Sequence, residues 1–422
     1  MKILYISQYF PPEMGAPAVR AVELSRHWTA AGHQVTILTG FPNHPTGVVP
    51  AEYRKKFRRL VIREQIEGIH VVRSWLLPFP NRRAYERMLN YSSFCISAAS
   101  TGLFLTPPDV VIATSPQLLV GLSGWWLARW KRVPFVFEVR DLWPESLAAV
   151  GIGHRGSPLH RSLATIAGFL YSRSDRVVVV TPAFEDYLVE HWRVPREKIV
   201  VIENGVETQV FAPDAGIALR TELGVQGKFV VSYIGTMGMA HGLDTMIEAA
   251  AELQRSNSEI VFLVVGEGAE KERIIELAQR RGLSNLRFVD QQPREKIPGY
   301  ICASDACLVL LKKADVFKTV IPTKMLEFMS CARPVILGVE GQAQIILEEA
   351  RGGIVVEPEN SAALANALRY LAANREIGQR LGKNGREYIV RNFSRRQTAE
   401  KYIRTLERLL NPAADRKAEL VA

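Results

Sequence analysis

Short apolar runs alternate with longer amphipathic stretches along nearly the whole sequence, and this alternation sets the tightest limit on the fold. Runs at residues 2–7, 34–39, 110–114, 135–139 and 176–181 are almost continuously apolar, as strands buried on both faces must be. Helical stretches lie between them, among them 18–31, closed by Gly32 where a C-terminal cap is expected, and 118–131. The pattern restarts at 229–234, 260–265, 286–289, 306–310, 334–337 and 354–356. Strands joined through helices run parallel, because a parallel connection needs a crossover. The fold class is therefore α/β, with two doubly wound, Rossmann-like domains in tandem. We place them at residues 1–205 and 206–393, since 422 residues exceed one ordinary core. A helix and tail fill 394–422. Tyr402, Leu406, Leu409 and Leu410 share a face of that helix, and the stripe is expected to bury against the first domain.

Charge is uneven. The net charge is +10, and residues 1–205 hold 24 basic against 16 acidic side chains, most of the excess. Basic clusters stand at 54–59, at Arg82 and Arg83, and at Arg129, Lys131 and Arg132. Trp125, Trp126 and Trp130 interleave with the last, a mixture suited to an anionic membrane surface. Residues 88–107 hold too many Ser, Thr and Asn for a membrane span, and an amphipathic helix is expected there. The basic clusters match no nucleic-acid recognition module. The four cysteines form no C-x-x-C pair, and the apolar run at the N-terminus is too short for a signal peptide. The expected setting is cytoplasmic.

In such sheets ligands collect at the carboxyl ends of strands, so the residues just after strands carry the functional reading. Gly15 precedes the first helix, where backbone N–H groups can approach a phosphate or sugar. The segment is not G-x-G-x-x-G, and no acidic residue closes the second strand, which disfavours a nicotinamide dehydrogenase. The second half opens with YIGTMGMAHGLDTMIEAA, placing Gly235, Thr236 and His241 at a strand end ahead of a helix. VVGEGAEKER repeats the arrangement with Gly266 and Gly268. In IPTKMLEFMSCARPVI, Pro322 suits the first helical position. Thr323 and Lys324 then offer amides, a hydroxyl and an ammonium at a positive helix end, which is diphosphate-binding chemistry. Glu327, one turn on, suits two ribose hydroxyls. Finally, Glu138, Arg140, Asp141 and Glu145 follow an apolar strand. Asp141 or Glu145 could orient or deprotonate an acceptor hydroxyl, and Arg140 could hold an acceptor phosphate; an internal network bracing the loop is the other reading.

The order of PTKMLEFMSCARPVI, VVGEGAEKER, IGTMGMAHGLDTMIEAA and ENGVETQVF resembles the retaining family 4 glycosyltransferases of GT-B fold. ATSPQLLVGLSGWWLARWKRVPFVFEVRDLWPES is similar to the WbuB-type, N-acetylfucosamine transferase-like subgroup of bacterial polysaccharide biosynthesis. The resemblance implies two domains facing a cleft, a nucleotide-sugar donor held mainly by the second and an acceptor held by the first. It implies retention of anomeric configuration and neither metal nor cofactor. By the same resemblance Glu327 matches the second, ribose-binding Glu of E-x7-E, Gly266 and Gly268 match the loop near the base and ribose, and Gly15 the loop facing the donor phosphates. Three positions depart from the family pattern: Thr319 stands for the first Glu, Thr236 and His241 for the diphosphate-clamping Arg and Lys, and Arg140-Asp141 for a first-domain histidine. The reading is a glycosyltransferase moving an N-acetylated amino or deoxy sugar from a UDP-sugar to a polyprenyl-diphosphate-linked saccharide at the inner membrane face, in O-antigen or capsule assembly. A UDP-sugar 2-epimerase of the same architecture and a non-catalytic nucleotide-binding subunit are the alternatives.

Overall fold

The computed structural model describes residues 1–13, 15–44, 46–80, 83–145, 156–213, 217–256 and 259–411, so Arg82 and the tail from 412 lie outside the described residues. The chain divides into two compact units, residues 1–203 with 396–422 and residues 204–395.

Unit 1 is built on eight strands: β1 (Lys2–Ile6), β2 (Gln34–Gly40), β3 (Val61–Ile66), β4 (Ile69–Ser74), β5 (Val110–Thr114), β6 (Phe135–Val139), β7 (Arg176–Val179) and β8 (Ile199–Val201). Their order across the sheet is β3-β4-β2-β1-β5-β6-β7-β8. All neighbours pair in parallel except β3 with β4. The strand order reverses between β1 and β5, which puts the carboxyl ends of those strands at a topological switch point. The β3–β4 hairpin and the three-residue β8 escape the sequence reading. β3 alternates between exposed and half-buried residues at the sheet edge and lacks a continuous apolar run. Its turn places Glu67 and Gly68 at φ 51° and 81°, as a tight hairpin of matching twist requires.

The stretch at 88–107 lies mostly in the helix Ala84–Leu103, whose Asn90, Phe94 and Ala98 are buried at a spacing of four while Leu89 and Ile96 face solvent. Among the described residues no helix is long and apolar enough to cross a membrane. The last helix, Arg395–Leu410, joins the unit 1 core through Ala399, Tyr402 and Leu406. Trp28 Nε1 donates to the Ala399 carbonyl at 3.2 Å, and its ring meets Tyr402 edge-on at 5.1 Å.

A buried ion pair holds the centre of unit 1. Arg20, from the helix Ala16–Ala30, meets Glu138 at 2.8 Å with both side chains sealed from solvent. Tyr5 donates to the other Glu138 oxygen at 2.8 Å, and Arg20 also donates to the carbonyls of Ile202 and Glu203. Burial pushes the Glu138 carboxyl up, but Arg20, Arg140 and the hydrogen bonds it accepts outweigh this and hold it below its ordinary value. Glu138, one of the charges placed after β6, is therefore an internal brace at the end of that strand.

Unit 2 carries β9 (Phe229–Ile234), β10 (Ile260–Val265), β11 (Leu286–Val289), β12 (Ala306–Leu310), β13 (Val335–Gly338) and β14 (Gly353–Val355) in the all-parallel order β11-β10-β9-β12-β13-β14. Alternate residues of β10 feed two apolar layers, Val261, Leu263 and Val265 in one and Ile260, Phe262 and Val264 in the other. The switch point lies between β9 and β12.

Removing one partner of the Arg20–Glu138 pair strands a charge in a dry core. Glu138→Ala is expected to destabilise the protein by about 3–5 kcal/mol in chemical denaturation, whereas the double substitution Arg20→Met/Glu138→Met should recover much of that loss.

Candidate active site

In unit 2 the residues singled out from sequence converge at the carboxyl ends of β9 and β10. Gly235 directly follows β9 with φ 139°, and a side chain there would reach Lys324 Nζ at 3.3 Å. Gly266 and Gly268 serve the fold first. A Cβ on Gly266 would stand 2.1 Å from the Gly235 carbonyl oxygen, and one on Gly268 would stand 2.3 Å from that of Met237. The two strand-end loops are laced together by Met237 N donating to Glu267 O at 2.8 Å and Glu270 N donating to Met237 O at 3.0 Å. Close backbone approach accounts for these two glycines without a ligand.

Lys324 is the second residue of the helix Thr323–Ser330. Pro322 is its N-cap, one position earlier than expected from sequence, and still has no N–H to leave unpaired. The Lys324 ammonium donates to the Tyr233 hydroxyl at 3.0 Å and lies 4.1 Å from the centre of that ring. Tyr233 in turn donates to the Thr236 carbonyl at 2.6 Å, while the Thr236 side chain stands in the exposed part of the loop. Burial lowers the Lys324 pKa to about 7, with Glu327 pulling the other way. An ammonium so placed, with no ion-pair partner among the described residues, is favoured further when an anion arrives.

His241 adds no permanent charge beside it. Burial and the neighbouring Lys324 lower its pKa to about 3, and its Nδ1 donates to the Gly238 carbonyl at 3.3 Å. The imidazole is a neutral hydrogen-bonding group at physiological pH. Thr319, eight residues before Glu327, turns its hydroxyl back to the Val316 carbonyl at 2.7 Å. Glu327 is buried and meets Arg294 at 2.9 Å, a partner that sequence reasoning missed. Arg294 lies in QQPREK, which reads as a solvated charged turn, and nothing in its local pattern points to Glu327.

In unit 1, Arg140 and Asp141 follow β6, and the Ser115 hydroxyl accepts from both backbone amides, at 2.7 and 3.4 Å. Arg140 Nη2 donates to the Ala16 carbonyl in the first turn of the helix Ala16–Ala30 at 3.3 Å. Among the described residues its Nε and Nη1 are buried without a hydrogen-bond partner, and so is Glu145 Oε2. Burial pushes the Asp141 carboxyl up to about 6 against the pull of Arg140. These groups can accept an anion and a hydroxyl proton. Gly15 is the N-cap of the same helix, with φ −75° and only an ordinary 3.5 Å contact awaiting a Cβ, so the fold itself does not demand glycine there.

The basic, aromatic helix Val120–Lys131 divides by role. Trp125 packs edge-on against Phe169 at 4.8 Å. Lys131 donates to the Leu103 and Leu105 carbonyls at 3.3 and 2.8 Å, tying down the end of the helix Ala84–Leu103. These two residues have internal duties. Trp126 and Trp130 stand side by side at 6.1 Å, 43% and 63% exposed, with Arg129 and Arg132 also exposed. Among the described residues no three His, Cys, Asp or Glu side chains gather as a metal site requires.

Residues 15–205 match the family described as glycosyl transferase 4-like domain, and residues 218–388 match glycosyl transferases group 1. The chain is 26% identical over 385 residues to the putative colanic acid biosynthesis glycosyl transferase WcaI of Escherichia coli K12, covering 87% of this chain and 91% of that protein. It is 26% identical over 312 residues to the probable glycosyltransferase WbjE of Pseudomonas aeruginosa, covering 72% and 74%. Among solved structures it superimposes on sucrose-phosphate synthase of Thermosynechococcus elongatus with TM-score 0.77 at 22% identity, over 97% and 99% of the chains. Anabaena HepE in complex with UDP gives TM-score 0.72 at 17% identity, over 96% and 100%. Both likenesses establish the architecture of two Rossmann-like units.

With its pKa held so low, His241 is expected to show no titration step in proton NMR between about pH 5 and 8, where an ordinary histidine titrates. His241→Asn should leave the fold intact.

Proposed function

We propose, for a chain whose residues 15–205 and 218–388 match two glycosyltransferase families, that unit 2 holds the diphosphate and ribose of a UDP-sugar while unit 1 presents a lipid-linked saccharide acceptor. The observation that carries the reading is Lys324, a half-buried ammonium at the start of a helix, with no acid paired to it among the described residues and Glu327 one turn beyond. A diphosphate supplies the missing anion, takes the unpaired amides of the helix end, and leaves the ribose within reach of Glu327. Glycosyl transfer needs the departing diphosphate stabilised, and Lys324 with the helix end near Thr323 provides that charge without a metal ion or cofactor. His241 adds a neutral hydrogen bond.

We assign the acceptor side to Arg140, Asp141 and Glu145. Arg140 offers an acceptor phosphate two guanidinium nitrogens that have no partner among the described residues, and Asp141, raised toward neutrality, is suited to hold or take the proton of an acceptor hydroxyl. Gly15 leaves room for the donor phosphates at a helix end that the fold would have let a larger residue fill. A retaining reaction of the WbuB type, with an N-acetylated deoxy sugar such as L-FucNAc, fits the replacement of a hydroxyl-binding Glu by Thr319. Assembly of O-antigen or capsule is in keeping with the bacterial relatives, one of them named for colanic acid biosynthesis. Trp126, Trp130, Arg129 and Arg132 then mark the face that meets the inner leaflet of the cytoplasmic membrane, where a polyprenyl-diphosphate acceptor resides. An epimerase would convert a UDP-sugar without acceptor, so acceptor-dependent release of UDP separates the two activities.

Calorimetry with UDP and GDP tests the donor site. UDP should bind saturably, and Glu327→Ala should lose at least about 1.4 kcal/mol, tenfold. Because Lys324 titrates near 7 when empty and higher against a diphosphate, binding above that pH takes up a proton. Affinity should therefore fall as pH rises from about 7 toward the bound-state pKa, with proton uptake seen as a buffer-dependent enthalpy that Lys324→Met abolishes. At the other site, flotation with anionic liposomes should capture the protein at low salt, and Trp126→Ser/Trp130→Ser should lose most of that binding.

A further inference from the structure

Arg294 opens the short turn Arg294–Lys296 that follows β11, directly after Pro293. Its guanidinium carbon lies 4.8 Å from the centre of the Phe211 ring, and one of its terminal nitrogens reaches Glu327 Oε1 at 2.9 Å. Phe211 is fully buried, and its carbonyl accepts from Ser330 Oγ at 2.7 Å and from Arg386 Nη1 at 3.2 Å. The ring is thus moored to the far end of the helix that carries Glu327. Arg294 rests on a fixed surface and bonds to a carboxylate on the same rigid element.

The turn holding Arg294 adjoins the other strand-end loops. Gly266 N donates to the Val289 carbonyl at 3.1 Å, so the loop after β10 meets the end of β11. Glu327 is one helical turn from Lys324. The Arg294 side chain is 28% exposed and that of Glu327 11%, so the pair is largely shielded from solvent. Its geometry matters more than its energy. A carboxylate held by a guanidinium cannot rotate freely, and each of its oxygens can accept more than one hydrogen bond. Two adjacent hydroxyls can donate to such a group together. A sugar lacking one of them makes one hydrogen bond fewer to a buried carboxylate, a loss that a rigidly held carboxylate cannot recover by turning.

We propose that Arg294 is a positioning residue that fixes Glu327 for the vicinal hydroxyls of a ribose and so makes the site select ribonucleotides over 2′-deoxyribonucleotides. The proposal rests on the donor-site reading given above and adds a residue and a selectivity to it.

Full-length protein is titrated with UDP and with 2′-deoxy-UDP as wild type, Arg294→Met, Arg294→Lys, Glu327→Gln and Arg294→Met/Glu327→Gln, with thermal unfolding of each. Methionine keeps a stem over Phe211, and lysine keeps the charge without the planar fork. The wild type should prefer UDP by about tenfold or more, Arg294→Met should erase most of that preference by weakening UDP alone, and Arg294→Lys should restore part of it. In the Glu327→Gln background, Arg294→Met should add nothing. Equal weakening of both nucleotides by Arg294→Met, or additive effects of the two substitutions, would overturn the positioning role while leaving the donor site in place. A wild type that is folded and binds neither UDP nor GDP would overturn the donor-site reading itself, and the positioning role with it.

Discussion

Covering both faces of a parallel sheet with helices forces every connection to cross from one end of the sheet to the other, so the loops after the strands gather along a single edge. Both units obey this constraint apart from the β3–β4 hairpin, and in both the groups with chemistry to offer stand along that edge. Arg140 and Asp141 follow β6, and Gly235 follows β9. Lys324 and Glu327 lie on the helix entered after β12. The apolar strand interiors contribute rigidity and little else. A substitution on the edge can change chemistry without loosening the sheet, while one within a strand does the reverse.

The two units treat buried charge in opposite ways. In unit 1 Arg20 and Glu138 neutralise one another, with Tyr5 and two main-chain carbonyls completing their hydrogen bonds. That arrangement is closed and has nothing left to give a ligand. In unit 2 Lys324 has a phenol and an aromatic face for company, and burial depresses its pKa despite the pull of Glu327. Arg140 lies between these cases, with one nitrogen bonded to Ala16 and two buried without a partner among the described residues. The contrast separates structural charge from charge held ready: the first is saturated, the second is not.

The sequence makes the architecture legible because parallel strands buried on both sides must be apolar almost without interruption. β3 and β8 escape that test, one because it alternates at an edge and the other because three residues make no pattern. Of the candidate site, Lys324 and Glu327 are readable because a helix start, a cation and a carboxylate lie within a few residues of one another. Arg294 is not, since its partner and its ring support come from distant parts of the chain. The Arg20–Glu138 pair spans 118 residues and is hidden for the same reason. Trp125 and Lys131 show the opposite limit: composition groups them with Trp126 and Arg129, but a neighbouring ring and two carbonyls claim them. Local pattern reports which residues share a surface, and side-chain reach decides what they do there.

The contribution of Ala399, Tyr402 and Leu406 to the core of unit 1 has a consequence for biosynthesis. The first 203 residues leave the ribosome with a gap beside Trp28 that only the last helix fills. At translation rates of about 5–20 residues per second, the whole of unit 2 is made in the interval, on the order of ten to forty seconds. Throughout that time a nascent unit 1 exposes an apolar seam, so a stalled or truncated chain leaves it in a form that chaperones can recognise. The core of the first unit is completed only after the second unit has been made.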